Sequence, residues 1–259
     1  MFILIDNLKI NYEKEGSEKT EKIFVLLHGW QDNLKRWDFI SSDFFVDNYQ
    51  IIRLDFPGFG FSDTPKEPWD VLDYTEFLNN FLAKLGINND IILLGHSLGG
   101  RVAIKFASLY PEKISKLILV DSAGIKPKKN LKCFFYFILA KIGGVVFSLP
   151  IFRKFREKIK AKFYQQIAAE DYLNISNPII KSSFLKIINE DLQNDAQKIK
   201  NETLIVWGEK DKETPLKDAF VFHKFIKNSE LRIIKDAGHL PFLNKKEEFL
   251  KYINNFIKK

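Results

Sequence analysis

The residues most able to do chemistry lie in Ile91-Ile92-Leu93-Leu94-Gly95-His96-Ser97-Leu98-Gly99-Gly100, where a serine has glycine two positions away on either side. An apolar run precedes it and a stretch with helical spacing follows, which is the context that the G-x-S-x-G pattern requires. A strand turning abruptly into a helix holds such a serine in a strained conformation, and the glycines leave room where a Cβ would clash. Ser97 is therefore the candidate nucleophile, exposed at the carboxyl end of a sheet beside a helix N-terminus that favours developing negative charge.

A serine hydroxyl needs a base, most often histidine. The chain has His28, His96, His223 and His239. His96 directly precedes Ser97 and is expected to project to the other side of the turn; His223 sits within a helical stretch; His28 opens the loop His28-Gly29-Trp30. His239, just past the last expected strand, is left as the base. An acid must then hold the imidazole in the right tautomer. Asp211 and Glu209, after the strand Leu204 to Trp207, and Asp121, at the end of the sixth strand, all emerge at the right end of the sheet. For the oxyanion formed on attack, the residue after the nucleophile, Leu98, is expected to give one backbone N–H and Trp30 the other. Their side chains would line the substrate pocket together with His28, Gly29 and Leu240. Neither a metal nor a cofactor is expected, since no clustered Cys/His spacing suggests one.

These groups need a scaffold with all its strand ends on one side. Phe2 to Ile5 and Leu8 to Glu13 read as a hairpin about Asp6-Asn7. Short apolar runs follow at Ile23 to Leu27, Gln50 to Leu54, Ile91 to Leu94, Leu117 to Val120, Leu204 to Trp207 and Leu231 to Ile234, as in strands buried on both faces of a parallel sheet. Helical spacing fills the intervals at Leu34 to Phe45, Tyr74 to Leu85, Leu98 to Tyr110, Leu216 to Ile226 and Lys246 to Ile257. The alternation predicts an α/β class: a doubly wound, mostly parallel eight-stranded sheet. From 122 to 197 the pattern is helical only, which predicts a helical cap inserted into a core domain made of 1–121 and 198–259.

The 259 residues are 46% hydrophobic and include 25 Phe, which excludes a disordered chain. A single cysteine, Cys133, removes any internal disulfide, and the first residues lack the features of a secretory signal; a cytoplasmic location is expected. Leu131 to Pro150 approaches the length of a membrane span, but Lys132 and Lys141 argue for a helical hairpin covering an apolar pocket instead. The net charge of +7 is concentrated: from Lys126 to Lys162 eleven Lys or Arg face a single acid, Glu157. An acidic carrier protein or an anionic membrane surface would be attracted to it, although Lys also serves simply to solubilise Phe- and Ile-rich helices. No nucleic-acid-binding fold surrounds the stretch, so nucleic acid is not an expected partner.

Together, His28-Gly29-Trp30, Asp55-Phe56-Pro57-Gly58-Phe59-Gly60-Phe61-Ser62, Gly95 to Gly100, Gly208 to Pro215 and Gly238-His239 resemble the α/β-hydrolase superfamily over almost the whole chain. The resemblance implies a catalytic triad in the order Ser97, Asp211, His239, selecting Asp211 over Glu209 and Asp121, and a cap at 122–197. Haloalkane dehalogenases and epoxide hydrolases of this fold carry Asp where this chain has Ser97, which sets them aside. Carboxylesterases, thioesterases, C–C bond hydrolases and cofactor-free haloperoxidases remain compatible. The size and cap are also similar to the esterases acting on the methyl ester of pimeloyl-acyl carrier protein. The expected function is hydrolysis of a small-molecule ester or thioester with an apolar acyl group through an acyl-enzyme. C–C bond hydrolysis and a non-catalytic ligand-binding protein are the alternatives.

Overall fold

The computed structural model describes residues 1–16, 20, 22–40, 49–88, 90–126 and 174–259. The expected hairpin forms: β1 (Phe2–Ile5) and β2 (Leu8–Gly16) meet at Asp6 and Asn7, both in left-handed conformation with φ of 48° and 66°. Two such residues match the right-handed twist of the strands. β2 runs three residues beyond the expected Glu13 because its second half pairs antiparallel with β4 (Gln50–Leu54), Tyr12 facing Leu54 and Gly16 facing Gln50.

The other strands are parallel: β3 (Ile23–Leu27), β5 (Ile91–His96), β6 (Ile114–Val120), β7 (Glu202–Gly208) and β8 (Ser229–Ile234). Among the described residues they make one eight-stranded sheet in the order β1-β2-β4-β3-β5-β6-β7-β8, so the expected doubly wound, mostly parallel architecture is the one observed. The strands are continuous apolar runs because both faces are covered. Alternate side chains enter two cores: Val25, Leu27, Ile91 and Leu93 join one, while Phe24, Leu26, Ile92 and Leu94 join the other.

On the first face pack α1 (Val71–Lys84), α2 (Leu98–Leu109), α3 (Pro178–Asn189), the short α4 (Gln193–Ala196) and α5 (Leu216–Phe225). On the second lie α6 (Pro241–Asn244) and α7 (Lys246–Ile257), whose Phe249, Ile253 and Phe256 are buried against it. α1 starts at Val71, earlier than the expected Tyr74, because Asp70 and Asp73 form a reciprocal capping box. The stretch expected as a helix from Leu34 to Phe45 is a 3-10 helix over Leu34–Ile40, its first N–H taken by the Asp55 carboxylate at 2.7 Å.

Of the expected cap, residues 122–126 and 174–197 are described, and α3 and α4 lie in the second of these stretches. The apolar segment Leu131 to Pro150 and most of the basic stretch Lys126 to Lys162 lie outside the described residues. No helix among the described residues is long and apolar enough to cross a membrane. α3 is tied to the core: Ser183 Oγ accepts the Trp69 N–H at 2.8 Å, Lys186 Nζ donates to the Pro68 carbonyl at 2.6 Å, and the Phe184 ring meets Trp30 with centroids 5.0 Å apart.

Candidate active site

Ser97 sits between β5 and α2 at φ 51° and ψ −109°, outside the conformations an L-residue ordinarily adopts. It occupies the N-cap position of α2, yet its side chain makes no capping bond. A serine there would usually accept a helix N–H; here the strained backbone leaves the hydroxyl without a partner among the described residues. The turn is held by main chain, with Ser97 N–H donating to the Val120 carbonyl at 3.2 Å and Gly99 N–H to the His28 carbonyl at 3.1 Å. The second bond shows why position 99 is glycine: a Cβ would lie 2.5 Å from the Leu27 carbonyl oxygen and 2.8 Å from that of His28.

The same close approach brings the loop after β3 against the serine. A Cβ on Gly29 would stand 3.3 Å from the Ser97 Cβ. Leu98, as the first residue of α2, has no intrahelical acceptor for its N–H, and neither it nor the Trp30 N–H donates to a described residue. Of the expected oxyanion donors, Leu98 directly follows Ser97 and Trp30 follows Gly29, which approaches it. Trp30 is half-buried, its ring edge-on to Phe59 at 4.9 Å and against Phe184.

His239 and Asp211 come from the loops after β8 and β7. Nδ1 of His239 lies 2.8 Å from Asp211 Oδ2, with the Asp211 side chain wholly buried. Asp211 Oδ1 accepts the N–H groups of Glu213 at 2.8 Å and Thr214 at 3.0 Å, and its Oδ2 also takes the Thr214 hydroxyl at 2.6 Å. Burial acts to raise the Asp211 carboxyl, but the bond from His239 and the other donors outweigh it and hold it at about 2. It is therefore an anion at working pH, which fixes the proton of His239 on Nδ1 and leaves Nε2 as the basic nitrogen. Nε2 faces Glu213 Oε2 at 3.3 Å rather than Ser97. The Glu213 side chain is 65% exposed, so this contact is weak and readily displaced. Catalytic hydrogen bonds commonly tighten only when substrate is bound.

His96 has a part that its place beside Ser97 did not reveal. Its ring packs on that of His239, centroids 4.7 Å apart, and its Nε2 lies 2.8 Å from the His239 carbonyl oxygen. Burial, then the neighbouring His239, holds His96 neutral. Nε2 must carry its proton and donate to that carbonyl, which fixes the backbone of the His239 loop. His28 also differs from its expected place in the pocket lining: it has no exposed surface, and its ring engages the Gly29 carbonyl through Nδ1 at 2.7 Å and the Phe56 N–H through Nε2 at 2.9 Å. It braces the loop that carries Trp30. Leu240 is half-buried against the core of the second sheet face. His223 contacts Ser229 on the surface, away from Asp211 and His239.

The Asp55-Phe56-Pro57-Gly58-Phe59-Gly60-Phe61-Ser62 loop is organised by one carboxylate. Asp55 Oδ1 accepts from Leu34 N–H, and Oδ2 from Asn11 Nδ2 and Phe61 N–H at 2.8 Å each. Phe59 is thereby placed against both His28 and Trp30. Asp121 takes part in the site as well: a carboxylate oxygen of Asp121, one of Asp211 and a ring nitrogen of His239 lie within 4.8 Å of one another. Three such ligand atoms could in principle approach a metal. Both Asp211 oxygens, however, are already filled by N–H and O–H donors, one of them the His239 Nδ1–H, so the group is built as a hydrogen-bonded relay. Thr214 was not singled out from the sequence and His96 was given no part in the site; both act through contacts between loops far apart in the chain.

The family profile described as alpha/beta hydrolase fold matches residues 22–148 and 144–246. The chain is 26% identical over 255 residues to Lipase 1 of Psychrobacter immobilis, covering 93% of this chain and 78% of the relative. It is 24% identical over 282 residues to the 2-hydroxy-6-oxo-6-phenylhexa-2,4-dienoate hydrolase of Comamonas testosteroni, covering 98% and 93%. Among solved structures, an esterase from Exiguobacterium antarcticum superposes with a TM-score of 0.76 at 25% identity, over 100% of this chain and 99% of the other. With the serine on its strained turn and the Asp–His pair beside it, this chain belongs to the alpha/beta hydrolase fold family.

Proposed function

We propose that the protein is a cofactor-independent serine hydrolase that cleaves a carboxylic ester or thioester through an acyl-enzyme. The observation that carries this reading is Ser97, strained at φ 51° with an unpartnered hydroxyl, in a site with a histidine whose Nδ1 is locked 2.8 Å from a buried aspartate. In this reading His239 Nε2 takes the Ser97 proton as Oγ attacks the carbonyl carbon. The Leu98 and Trp30 N–H groups receive the oxyanion, a contribution of about 10² to 10³ in rate for each such donor. His239 then protonates the leaving alcohol or thiol and activates the water that releases the acid. The acyl group would lie beside the apolar group that Trp30 makes with Phe59 and Phe184. A cytoplasmic setting fits the single cysteine, and an acidic carrier protein or anionic surface as partner of the Lys-rich stretch remains part of the proposal.

The named relatives include both a lipase and a dienoate hydrolase, so C–C bond hydrolysis with the same residues is the second reading. Turnover of a p-nitrophenyl ester series from acetate to long acyl chains, compared in parallel with a vinylogous 1,5-diketone, separates the two. Ester turnover that vanishes in Ser97→Ala supports the first. Cleavage of the diketone with no ester turnover replaces it by the second, and turnover of neither removes both.

A further inference from the structure

Asp121 has no task in the reaction just described, yet it is wholly buried beside the residues that do. It directly follows β6, in a left-handed conformation at φ 39°. Its Oδ1 accepts the Gly208 N–H at 2.9 Å, while Oδ2 is buried with no hydrogen-bond partner among the described residues. The groups facing it are unhelpful to a negative charge: Asp211 and Glu213 from the loop after β7 are both acidic. His239, from the loop after β8, is already committed to Asp211. The neutral His96, from the end of β5, lies behind His239. No described Lys or Arg pairs with it. A carboxylate in such a place, within 4.8 Å of a second one, costs far more than a carboxylic acid.

We propose that Asp121 is a neutral carboxylic acid in the working enzyme, its proton on the oxygen that Gly208 leaves free, and that its neutrality keeps Asp211 the single anion behind His239. Burial first, and Asp211 second, drive its carboxyl well above the ordinary range, against the pull of the Gly208 N–H. The consequence bears on the proton that His239 must both take and release. One anion stabilises the imidazolium enough for Ser97 to be deprotonated; a second would hold that proton against the leaving group. Asp121 is thus a positioning residue that acts through Asp211 and His239. The inference rests on the triad reading above.

Asp121→Asn, the permanently neutral isostere, tests it. A carboxyl raised in the folded state contributes full stability below its unfolded pKa and loses it as pH rises towards the folded value. The variant escapes that loss, so its melting temperature is expected above wild type at pH 7.5, with the gap closing towards pH 4. The acid limb of the pH profile of kcat/KM is expected within about 0.3 pH unit of wild type. If Asp121 were ionised, removing an anion at this distance would move that limb down by roughly two to three pH units at an effective dielectric of about 20, and that shift would overturn the proposal. A variant that fails to fold leaves the wild-type protein to decide. With ¹³C-labelled aspartate, one carboxyl carbon is expected to stay at the protonated-acid position through pH 7, and none doing so overturns the assignment. Loss of Ser97-dependent chemistry would instead remove the triad reading while leaving the carboxyl measurement intact.

Discussion

Thr214→Val removes a single hydroxyl from the acid end of the site while keeping the shape of the side chain. That hydroxyl donates to Asp211 Oδ2 at 2.6 Å, in a residue only 7% exposed. Hydrogen bonds to a charged acceptor contribute about 1.5–3 kcal/mol. The N–H groups of Glu213 and Thr214 on Oδ1 and His239 Nδ1 on Oδ2 survive the change, with the Asp121 carboxyl beside them, so the loss falls at the low end of that range. An independent bound comes from Asp211 itself: the whole depression from 3.8 to about 2 corresponds to at most about 2.5 kcal/mol, less after solvent screening, shared among all its donors. About 1 kcal/mol of the effect therefore depends on Asp211 being ionised. A carboxyl lowered in the folded state stabilises above its unfolded pKa and loses that contribution as pH falls through the folded value. Urea denaturation should show Thr214→Val destabilised by about 1–2 kcal/mol at pH 6.5, with the deficit shrinking by about 0.5 kcal/mol by pH 2.5, where Asp211 begins to protonate in the folded state. A cost of that size carried into the transition state lowers kcat/KM about five- to thirtyfold. Thr214→Ser should recover most of both. A deficit that is the same at both pH values, or wild-type kcat/KM in Thr214→Val, would refute the idea that this hydroxyl serves the Asp211 anion.

Other consequences follow from the elbow and the aromatic group around Trp30. Ser97→Gly, which relaxes the φ of 51°, should abolish ester turnover and raise the unfolding free energy by about 1 kcal/mol in denaturant titration. Gly99→Ala drives a Cβ into two carbonyl oxygens and should cost about 3 kcal/mol or prevent folding, while Gly86→Ala, with open space around it at φ +76°, should cost only about 1 kcal/mol; equal melting temperatures for the two would contradict this. Phe184→Ala removes the ring that braces Trp30 and should destabilise by about 3 kcal/mol, with KM for medium-chain esters rising more than kcat falls.

What could be read from the sequence was what the chain encodes locally. Each apolar run bounded by turn residues became a strand, and Gly95-His96-Ser97-Leu98-Gly99 was recognisable because the strand, the sharp turn and the helix are contiguous. Boundaries moved where a distant partner set them: β2 lengthened because β4 pairs with it, and the Leu34 segment opens as a 3-10 helix whose first N–H is held by Asp55, twenty-one positions away. Ser97, Asp211 and His239 were named through motif context and chain order, and the structure places Asp211 and His239 in direct contact. The part His96 plays was not legible, because its direction relative to the turn said nothing of the loop after β8, which stacks His239 upon it. Thr214 carried no signal, since one threonine in a polar loop looks like any other until Asp211 and Asp121 close around it.

The central claim is that Ser97 is the nucleophile. Intact-mass analysis after incubation with a fluorophosphonate tests it most directly, because the probe bonds covalently only to a serine activated by its base. One adduct per chain is expected, located on the peptide containing Ser97, absent from Ser97→Ala and greatly slowed in His239→Ala. An unlabelled wild-type protein, or an adduct that persists in Ser97→Ala, would contradict the account.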